Sequence, residues 1–323
     1  MRKAALFYNP LSGRRRERRL ADVKAALAVL HQAGIEATAE PTRGQADAAE
    51  QARRAIAEGC DTIVACGGDG TAHDVLQGMV GSDTALGIIP LGTANALAHD
   101  LRLPLSAVGA ARALLTAKPR RIALGRVEYK DLEGNRGFRF FTVAAGIGVD
   151  AHLFYKLNPL VKGHLGMAAY YAKATRLWLT HPMEKFAVDV EQEAGQKNGG
   201  PASEVSQLLA VRIRNFGGVL RELAPGASLE RDDLRMVLFR TSSRWAYLQY
   251  IIRGLVGAQW RVGGIDLVHS LKIDCQPLVG ASGDSRIFVE ADGELLGTLP
   301  AAISVVPDAL ALLVPENHDA PRL

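Results

Sequence analysis

The chain has 323 residues, of which 48% are hydrophobic and 22% are charged; a typical single domain has roughly 100 to 200 residues, so two globular domains are expected. Its net charge of +4 suits anionic partners such as phosphates, nucleotides or acidic lipid surfaces, and no recognised motif supports a nucleic-acid partner. The three cysteines lack CxxC spacing, which argues against a zinc site or a disulfide framework and favours a cytoplasmic location. The sequence contains no run of about 18 apolar residues, so no transmembrane helix is expected.

Strands and helices alternate along the first part of the chain. Short apolar runs predict strands at 3–8, 35–39, 62–65 and 85–89. Apolar residues at helical spacing predict a helix with apolar positions from Leu20 to Leu30 that stops at Gly34, and further helices at 46–58, 73–80 and 94–101. This alternation predicts an α/β domain, residues 1–121, with a parallel sheet covered on both faces.

The pattern changes after Pro119, where short alternating runs typical of strands begin. Helical patterns remain mainly at 165–179 and 245–259. We therefore predict a second, strand-rich domain over 122–304, with residues 305–323 as a tail that could return to the first domain.

Loops rich in glycine and small polar residues follow three of the predicted strands: NPLSG at 9–13, GGDGT at 67–71 and PLGTAN at 90–95. Since the carboxyl ends of parallel strands meet at one edge of a sheet, these loops are expected to form a polyphosphate cleft. Asp69 cannot itself favour phosphate. It could act through Mg²⁺, or accept a hydrogen bond from a nucleotide hydroxyl or a loop amide. The simpler alternative is a tight turn whose aspartate caps the next helix.

These motifs, in this order and spacing, resemble the diacylglycerol-kinase-like catalytic domain of bacterial lipid kinases and of sphingosine and ceramide kinases. The resemblance continues through FTVAAGIGVDA, RNFGGVLRELAPGA and VEADGELLGTLP, so it covers nearly the whole chain. It implies an ATP-dependent lipid kinase with the two-domain architecture shared by NAD kinases and diacylglycerol kinases. In that architecture a Rossmann-like α/β N-terminal domain precedes a C-terminal all-β sandwich with few helices.

The resemblance also implies site residues and the cofactors ATP and Mg²⁺. The nucleotide would be bound by residues from the strand-end loops: Asn9, Pro10, Ser12, Gly13, Thr42, Gly67, Gly68, Asp69, Gly70, Thr71, His73, Gly92, Thr93 and Asn95. The carboxylates of the DGE motif, Asp292 and Glu294, are the candidates for the general base, and Asp69 is the rival. Two simpler roles stay open: Asp292-Gly293 is also a strong hairpin signal, and His73 could be a helix-facing histidine without a catalytic role.

Three further positions concern the lipid and the metal. Asp150 matches the residue that holds the lipid head group in sphingosine kinases, although a loop cap is the alternative. The family's accessory Mg²⁺ site is in doubt because Arg231 stands where an aspartate is expected, leaving Asp232 and Asp233 as candidate ligands. The aromatic and arginine-rich segment 244–262 is either a helix packed on the sandwich or a helix that lies in a lipid interface.

The sequence thus predicts a lipid kinase that phosphorylates a hydroxyl of diacylglycerol, or of a sphingoid base or ceramide. Peripheral membrane contact is expected, and a homodimer is left open. The alternatives are an NAD kinase-like enzyme, although the chain lacks a G-S-T-A-Y-like segment, and a non-catalytic lipid or nucleotide sensor.

Overall fold

The structure is a computed structural model that describes residues 1–10, 16–149, 151, 179–180, 182–193, 196–197, 203–217, 222–257, 260–278, 286–316 and 318. The chain divides into two compact units. Unit 1 comprises Met1–Leu124, Ile213–Arg221 and Val306–Leu323, and unit 2 comprises Gly125–Arg212 and Glu222–Val305. Within the described ranges, no helix is both long enough and apolar enough to cross a membrane.

Unit 1 is an α/β unit. Its strands are β1 (Lys3–Tyr8), β2 (Glu36–Pro41), β3 (Thr62–Gly67) and β4 (Ala85–Pro90), and its helices are α1 (Arg16–Gln32), α2 (Gln45–Ala57), α3 (Asp69–Leu76), α4 (Ala96–Asp100) and α5 (Ala107–Thr116). The strands are parallel in the order β2-β1-β3-β4, and the last residues of β16 (Glu294–Val314) pair with β4. The parallel sheet predicted from the alternating pattern is therefore present.

The core of unit 1 lies on the two central strands. Every residue of β3 and β4 is buried, as expected for strands of a parallel sheet with helices on both faces. Apolar side chains of α1 and α5 pack against these strands and form one buried cluster with them. The apolar runs that predicted the strands are thus also the residues that hold the unit together.

Two helices differ from the prediction. Helix α5 was not predicted, although its buried residues Ala107, Ala110, Ala111 and Leu114 have the spacing of one helix face. Its signal was the N-cap, since the Ser106 hydroxyl accepts a hydrogen bond from the amide of Gly109 at 3.2 Å. Helix α3 was expected to begin at His73 but begins at Asp69, because the Gly68 carbonyl already accepts the amides of Thr71 and Ala72.

Unit 2 is rich in antiparallel strands. They are β5 (Lys118–Lys130), β6 (Arg136–Phe141), β7 (Ala144–Gly148), β8 (Phe186–Glu193), β9 (Gln196–Lys197), β10 (Ser203–Val205), β11 (Gln207–Val211), β12 (Leu234–Phe239), β13 (Ile265–Ser270), β14 (Lys272–Pro277), β15 (Phe288–Ala291) and the first part of β16. One run of neighbours is β13-β12-β11-β7-β15-β16, and another is β14-β8-β10. Buried apolar side chains from both runs form one core cluster, as in a sandwich of two layers.

One described helix, α6 (Arg244–Val256), packs on unit 2 through two buried tyrosines. The ring of Tyr247 lies 4.4 Å from that of Phe239 on β12, and the Tyr250 ring lies 5.2 Å from it. The hydroxyl of Tyr247 lies 2.8 Å from the Ser206 hydroxyl, and that of Tyr250 donates to the Leu223 carbonyl. The helix of segment 244–262 is therefore packed on the strands along one face.

Replacement of Gly78 by alanine should destabilise unit 1. A Cβ atom at residue 78 would lie 2.1 Å from the carbonyl oxygen of Ala49 in α2, and backbone cannot move aside as a side chain can. We expect the free energy of unfolding to fall by about 1 to 3 kcal/mol in urea titrations. The control is Gly263→Ala, where nothing lies within 4 Å; a loss as large as in Gly78→Ala would contradict the explanation.

The buried phenol of Tyr250 should make the stability of the protein fall at high pH. Burial raises its pKa to about 12, above the value of about 10 in an unfolded chain. The folded protein therefore holds this proton more tightly, so stability that is present below about pH 10 is lost as the pH rises toward 12. Chemical unfolding over that interval should show a smaller loss for Tyr250→Phe than for the wild type, and equal losses would contradict the assignment.

Candidate functional site

The carboxyl ends of four parallel strands lie side by side in unit 1. Tyr8 at the end of β1 is in register with Pro41 of β2 and with Cys66 of β3, and Gly67 is in register with Pro90 of β4. The residues that follow these ends therefore share one edge of the sheet. Thr42 is tied there, because its amide donates to the Tyr8 carbonyl at 2.8 Å.

The glycine loops after β3 and β4 are in backbone contact. A Cβ atom at residue 92 would lie 2.4 Å from the Cα of Gly68, and one at residue 68 would lie 3.2 Å from the Cα of Gly92. The amide of Leu91 also donates to the Gly67 carbonyl at 2.7 Å. At residue 92 only glycine allows this approach. Two of the predicted strand-end loops therefore converge in the structure.

Asp69 links the two loops. It is the first residue of α3, and its Oδ1 accepts a hydrogen bond from the amide of Leu97 in the first turn of α4 at 3.2 Å. The N-cap of α3 is Gly68, and no side chain caps that helix. Asp69 therefore connects the amino end of α3 to the amino end of α4 through a side-chain hydrogen bond.

Asn95 closes the loop that precedes α4. It has a left-handed backbone with φ of 52°, and its side chain is buried. Its Oδ1 accepts the Gly92 amide at 2.9 Å, and its Nδ2 donates to the Gly92 carbonyl at 3.2 Å. This leaves Thr93 exposed at the tip of the loop.

The other residues predicted to bind the nucleotide are found in several environments. Asn9 is partly exposed and Pro10 is exposed, whereas Ser12 and Gly13 lie outside the described residues. Thr71 is buried against Gly67, because a Cβ atom at residue 67 would lie 2.2 Å from its hydroxyl oxygen. The side chain of His73 is 1% exposed, which fits the interpretation of a helix-facing histidine.

A buried cation belongs to the same unit. Arg19 of α1 is buried, and burial lowers the pKa of its guanidinium group. Its charge acts on Cys66 at the end of β3, where burial raises the pKa of the thiol and Arg19 opposes that shift. The sequence showed Arg19 only as one member of an arginine run, which is usually a solvated face.

The DGE motif in unit 2 is a hairpin, as its Asp-Gly pair indicated. Ala291 of β15 pairs with Glu294 of β16 across Asp292 and Gly293, whose φ values are 48° and 84°. Positive φ at both central residues is the geometry that favours Asp-Gly in a two-residue turn. The carboxylate of the buried Glu290 accepts the Gly293 amide at 2.9 Å and fixes the turn.

The carboxylate of Asp292 is bound by three consecutive backbone amides. Its Oδ1 accepts from Val143 at 2.9 Å and from Ala144 at 3.0 Å, and its Oδ2 accepts from Thr142 at 3.1 Å. The Asp292 amide donates in return to the Ala144 carbonyl at 2.8 Å. Asp292 therefore joins the hairpin to the connection between β6 and β7, while Glu294 is partly exposed at the start of β16.

The region predicted to hold an accessory metal contains an ion cluster instead. Arg231 donates to Asp233 Oδ1 at 2.7 Å, and His269 Nδ1 lies 3.1 Å from Asp233 Oδ2. Burial would raise the pKa of Asp233, but the hydrogen bonds from Arg231 and His269 lower it overall. These contacts do not fit a cation at Asp233, and in the described part of the chain no three His, Cys, Asp or Glu side chains are grouped to hold a metal ion.

One predicted site residue cannot be placed, and one buried carboxylate was not predicted. Asp150 lies outside the described residues. In contrast, Asp100 of α4 was not singled out from the sequence, although it is buried and its Oδ1 accepts the amides of Arg214 and Asn215 at 3.1 and 2.8 Å. Gly217, with φ of 75°, packs on the ring of His99. The sequence signal for this contact was the motif RNFGG at 214–218, in which polar and small residues follow a strand.

The edge of unit 1 has the chemistry of an anion site. The first turns of α3 and α4 bring helix amides to the converging loops, and helix N-termini attract phosphate through those amides and the helix dipole. The Gly68–Gly92 approach keeps the region free of Cβ atoms. The residues present therefore fit a polyphosphate chain of a nucleotide.

Two family models match the chain in succession. The model described as the diacylglycerol kinase catalytic domain matches residues 3–127. The model described as the YegS C-terminal NAD kinase beta sandwich-like domain matches residues 142–314. A diacylglycerol kinase of Bacillus subtilis (strain 168) is 30% identical over 305 residues, which cover 93% of this chain and 92% of that one. A diacylglycerol kinase of Staphylococcus aureus (strain MRSA252) is 29% identical over 244 residues, 75% of this chain and 72% of that one.

Solved structures share the fold. A crystal structure of a diacylglycerol kinase from Bacillus anthracis str. Sterne has a TM-score of 0.67 at 18% identity and covers 97% of both chains. Yeast NADH kinase complexed with NADH has a TM-score of 0.52 at 12% identity, covering 99% of this chain and 85% of that one. Together with the family matches, this confirms the predicted fold class, an α/β N-terminal domain and a C-terminal β sandwich with few helices.

Removal of the Asp292 carboxylate should destabilise unit 2. Asp292→Ala leaves three partly buried amides without their charged acceptor, and hydrogen bonds to charged groups are worth about 1.5 to 3 kcal/mol each. We expect the free energy of unfolding, measured in urea, to fall by about 2 to 4 kcal/mol. The matched control is Asp131→Ala: Asp131 accepts the amides of Glu133 and Asn135 in an exposed turn. An equal loss in both variants would contradict the importance of the buried contacts.

Proposed function

The chain belongs to the diacylglycerol kinase family, and we propose that it is an ATP-dependent lipid kinase which transfers the γ-phosphoryl group of ATP to a hydroxyl of a membrane lipid. Relatives with the name diacylglycerol kinase make diacylglycerol the first candidate acceptor. A sphingoid base or ceramide is the second. Unit 1 would bind the nucleotide, and unit 2 would bind the lipid.

The observation that carries this proposal is the contact between Gly68 and Gly92 at the amino ends of α3 and α4. Phosphoryl transfer depends mainly on positioning and on neutralising charge, so amides held in a fixed array are what the reaction needs. A loop carrying side chains at these positions could not bring its backbone close to phosphate oxygens. The glycine loops therefore support nucleotide binding more directly than they support a structural turn.

Asp69, Thr93 and the loop amides are proposed to contact the nucleotide. Mg²⁺ bound with ATP would neutralise phosphate charge, as it does in other phosphoryl-transfer enzymes. One carboxylate oxygen of Asp69 accepts a hydrogen bond from the Leu97 amide. Asp69 therefore fixes the amino end of α4 relative to the GGDGT loop. Its role is to position the loops as well as to contribute charge.

Glu294 is proposed as the general base. Both oxygens of Asp292 already accept hydrogen bonds from backbone amides, so that residue anchors the turn. Glu294 lies two residues later and is partly exposed. Its carboxylate would accept the proton of the lipid hydroxyl while the oxygen attacks the γ-phosphorus and ADP leaves.

An NAD kinase-like activity is the second candidate, because yeast NADH kinase shares the two-domain fold. At 12% identity that likeness concerns the fold alone. The two candidates differ in acceptor, so one assay separates them.

The deciding experiment is transfer of radiolabelled γ-phosphate from Mg·ATP to diacylglycerol, sphingosine, ceramide, phosphatidylglycerol and NAD in detergent micelles. We expect label in one lipid, with the rate reduced about 10²- to 10⁴-fold by Glu294→Gln because the proton acceptor is lost. Asp292→Asn is the comparison variant: it keeps one of the two acceptor oxygens of the turn, so it should lower the rate less than Glu294→Gln if Asp292 only anchors the turn. Label in NAD would favour the second candidate, and no label in any acceptor would favour a non-catalytic sensor.

The role of Asp69 is tested in the same assay by two substitutions. Asp69→Asn keeps an oxygen that can accept the Leu97 amide, whereas Asp69→Ala does not. If Asp69 acts through its charge, both variants should lose transfer. Recovery of the rate in Asp69→Asn would show that the hydrogen bond to α4 is sufficient.

A further inference from the structure

The face of α6 opposite its buried tyrosines is apolar and exposed. We call it the outer face and define it by six side chains: Trp245, Leu248, Ile251, Ile252, Leu255 and Val256. Trp245 and Val256, near the two ends of the helix, are each 63% exposed. A helix that only packed on the strands would have polar residues here.

The exposed apolar surface is concentrated around this helix. Seven of the fourteen exposed large apolar side chains in the described part of the chain lie within residues 245–260, the seventh being Trp260. Single exposed apolar residues are normal on a protein surface, but a contiguous group marks a place where something binds. The outer face of α6 is such a group.

The charge of this segment has a single sign. Residues 240–262 include four arginines, Arg240, Arg244, Arg253 and Arg261, and no aspartate, glutamate or lysine. Tryptophans lie at both ends of the apolar stretch, at 245 and 260. Tryptophan and arginine flanking an apolar helix face are typical of helices that lie in the interface of an anionic membrane.

A cavity of about 410 Å³ beside α6 is lined by three arginines, Arg235, Arg253 and Arg261. In the described ranges, none of these three forms an ion pair with a carboxylate. Arg253 is buried, its guanidinium lies 4.3 Å from the Tyr250 ring centroid, and its Nε has no hydrogen-bond partner. Asp266, which also lines the cavity, accepts a hydrogen bond from Arg240, with Arg240 Nε 2.6 Å from Asp266 Oδ2.

Trp260 lines the cavity and is itself an exposed apolar side chain, and α6 contributes Tyr250 and Arg253 to the same lining. The cavity therefore combines cationic and apolar surface beside α6. Burial lowers the pKa of Arg235; Tyr250 and Asp233 oppose that shift, whereas the charges of Arg231 and Arg253 add to it. A bound anion would add a further favourable charge beside these arginines. A phosphate group attached to acyl chains supplies both the anion and the apolar partner.

We propose that the outer face of α6 and the arginine-lined cavity form a docking surface for a bilayer that contains anionic phospholipids. The choice of a membrane over another protein rests on the proposed function, since a lipid kinase must reach an acceptor held in a bilayer. The absence of carboxylates from residues 240–262 favours the same choice, because a second copy of this chain would bring arginines against arginines.

The test is co-sedimentation of the full chain with vesicles of phosphatidylcholine alone, and with vesicles in which phosphatidylglycerol replaces part of it. Trp245→Ser/Val256→Ser should weaken binding to the mixed vesicles about tenfold, because two exposed apolar side chains are lost. Arg261→Gln should weaken it about fivefold. It should have little effect on phosphatidylcholine vesicles, and its effect should shrink at high salt.

Matched controls lie elsewhere on unit 2. Leu132→Ser removes an exposed apolar side chain and Arg136→Gln an exposed arginine, so both should bind vesicles as the wild type does. Thermal unfolding by circular dichroism verifies that all variants are folded. Equal vesicle binding by variants and controls would overturn the proposal, and so would a change in hydrodynamic size of Trp245→Ser/Val256→Ser without vesicles, which would identify the face as a contact between copies.

The readout is separate from catalysis. In detergent micelles, where no bilayer is present, Trp245→Ser/Val256→Ser should transfer phosphate at the wild-type rate. If the wild type phosphorylates no lipid but binds mixed vesicles through α6, the proposed function fails while the docking surface stands. If the wild type phosphorylates a lipid in micelles but the α6 variants bind vesicles as the wild type does, the docking surface fails while the proposed function stands.

Discussion

The backbone contact between Gly68 and Gly92 is the constraint on which the candidate nucleotide site depends. Parallel strands β3 and β4 end at the same edge, but their loops could not approach this closely if residue 92 carried a Cβ atom. Because they meet, α3 and α4 begin next to each other, and Asp69 at the start of one helix accepts an amide of the other. The two short loops are thereby held together by backbone contact and by the side chains of Asp69 and Asn95.

Unit 2 uses a carboxylate for a similar purpose. Asp292 occupies a left-handed position in a tight turn and receives three amides from residues 142–144. A charged group that is held by amides costs little to bury, whereas an unpaired one is expensive. The same DGE motif therefore contains Asp292, which is hydrogen-bonded to backbone amides, and Glu294, which is partly exposed to solvent. The proposed role of Glu294 as the general base depends on this division.

The sequence predicted the strands of unit 1 and the convergence of the loops after β3 and β4, because a buried parallel sheet leaves apolar runs and forces its carboxyl ends together. It also predicted the Asp-Gly hairpin, whose signal is local. It did not predict helix 107–116, although the buried residues of that helix recur at helical spacing, nor the direction of the Asp292 side chain. The partners of Asp292 are about 150 positions earlier in the chain, and those of Asp100 are 114 positions later. Such pairings follow from tertiary packing, which local patterns do not encode.

Strand β16 has a consequence for how the protein is made. It extends from Glu294 to Val314, and its last residues pair with β4 in a sheet whose other strands are complete by residue 90. During synthesis, more than half of the chain must therefore be translated after β4 before the last residues of β16 can pair with its free edge. An exposed strand edge is prone to pair with other chains. The period between translation of β4 and release of β16 is thus when the nascent chain is most exposed to aggregation and most dependent on chaperones.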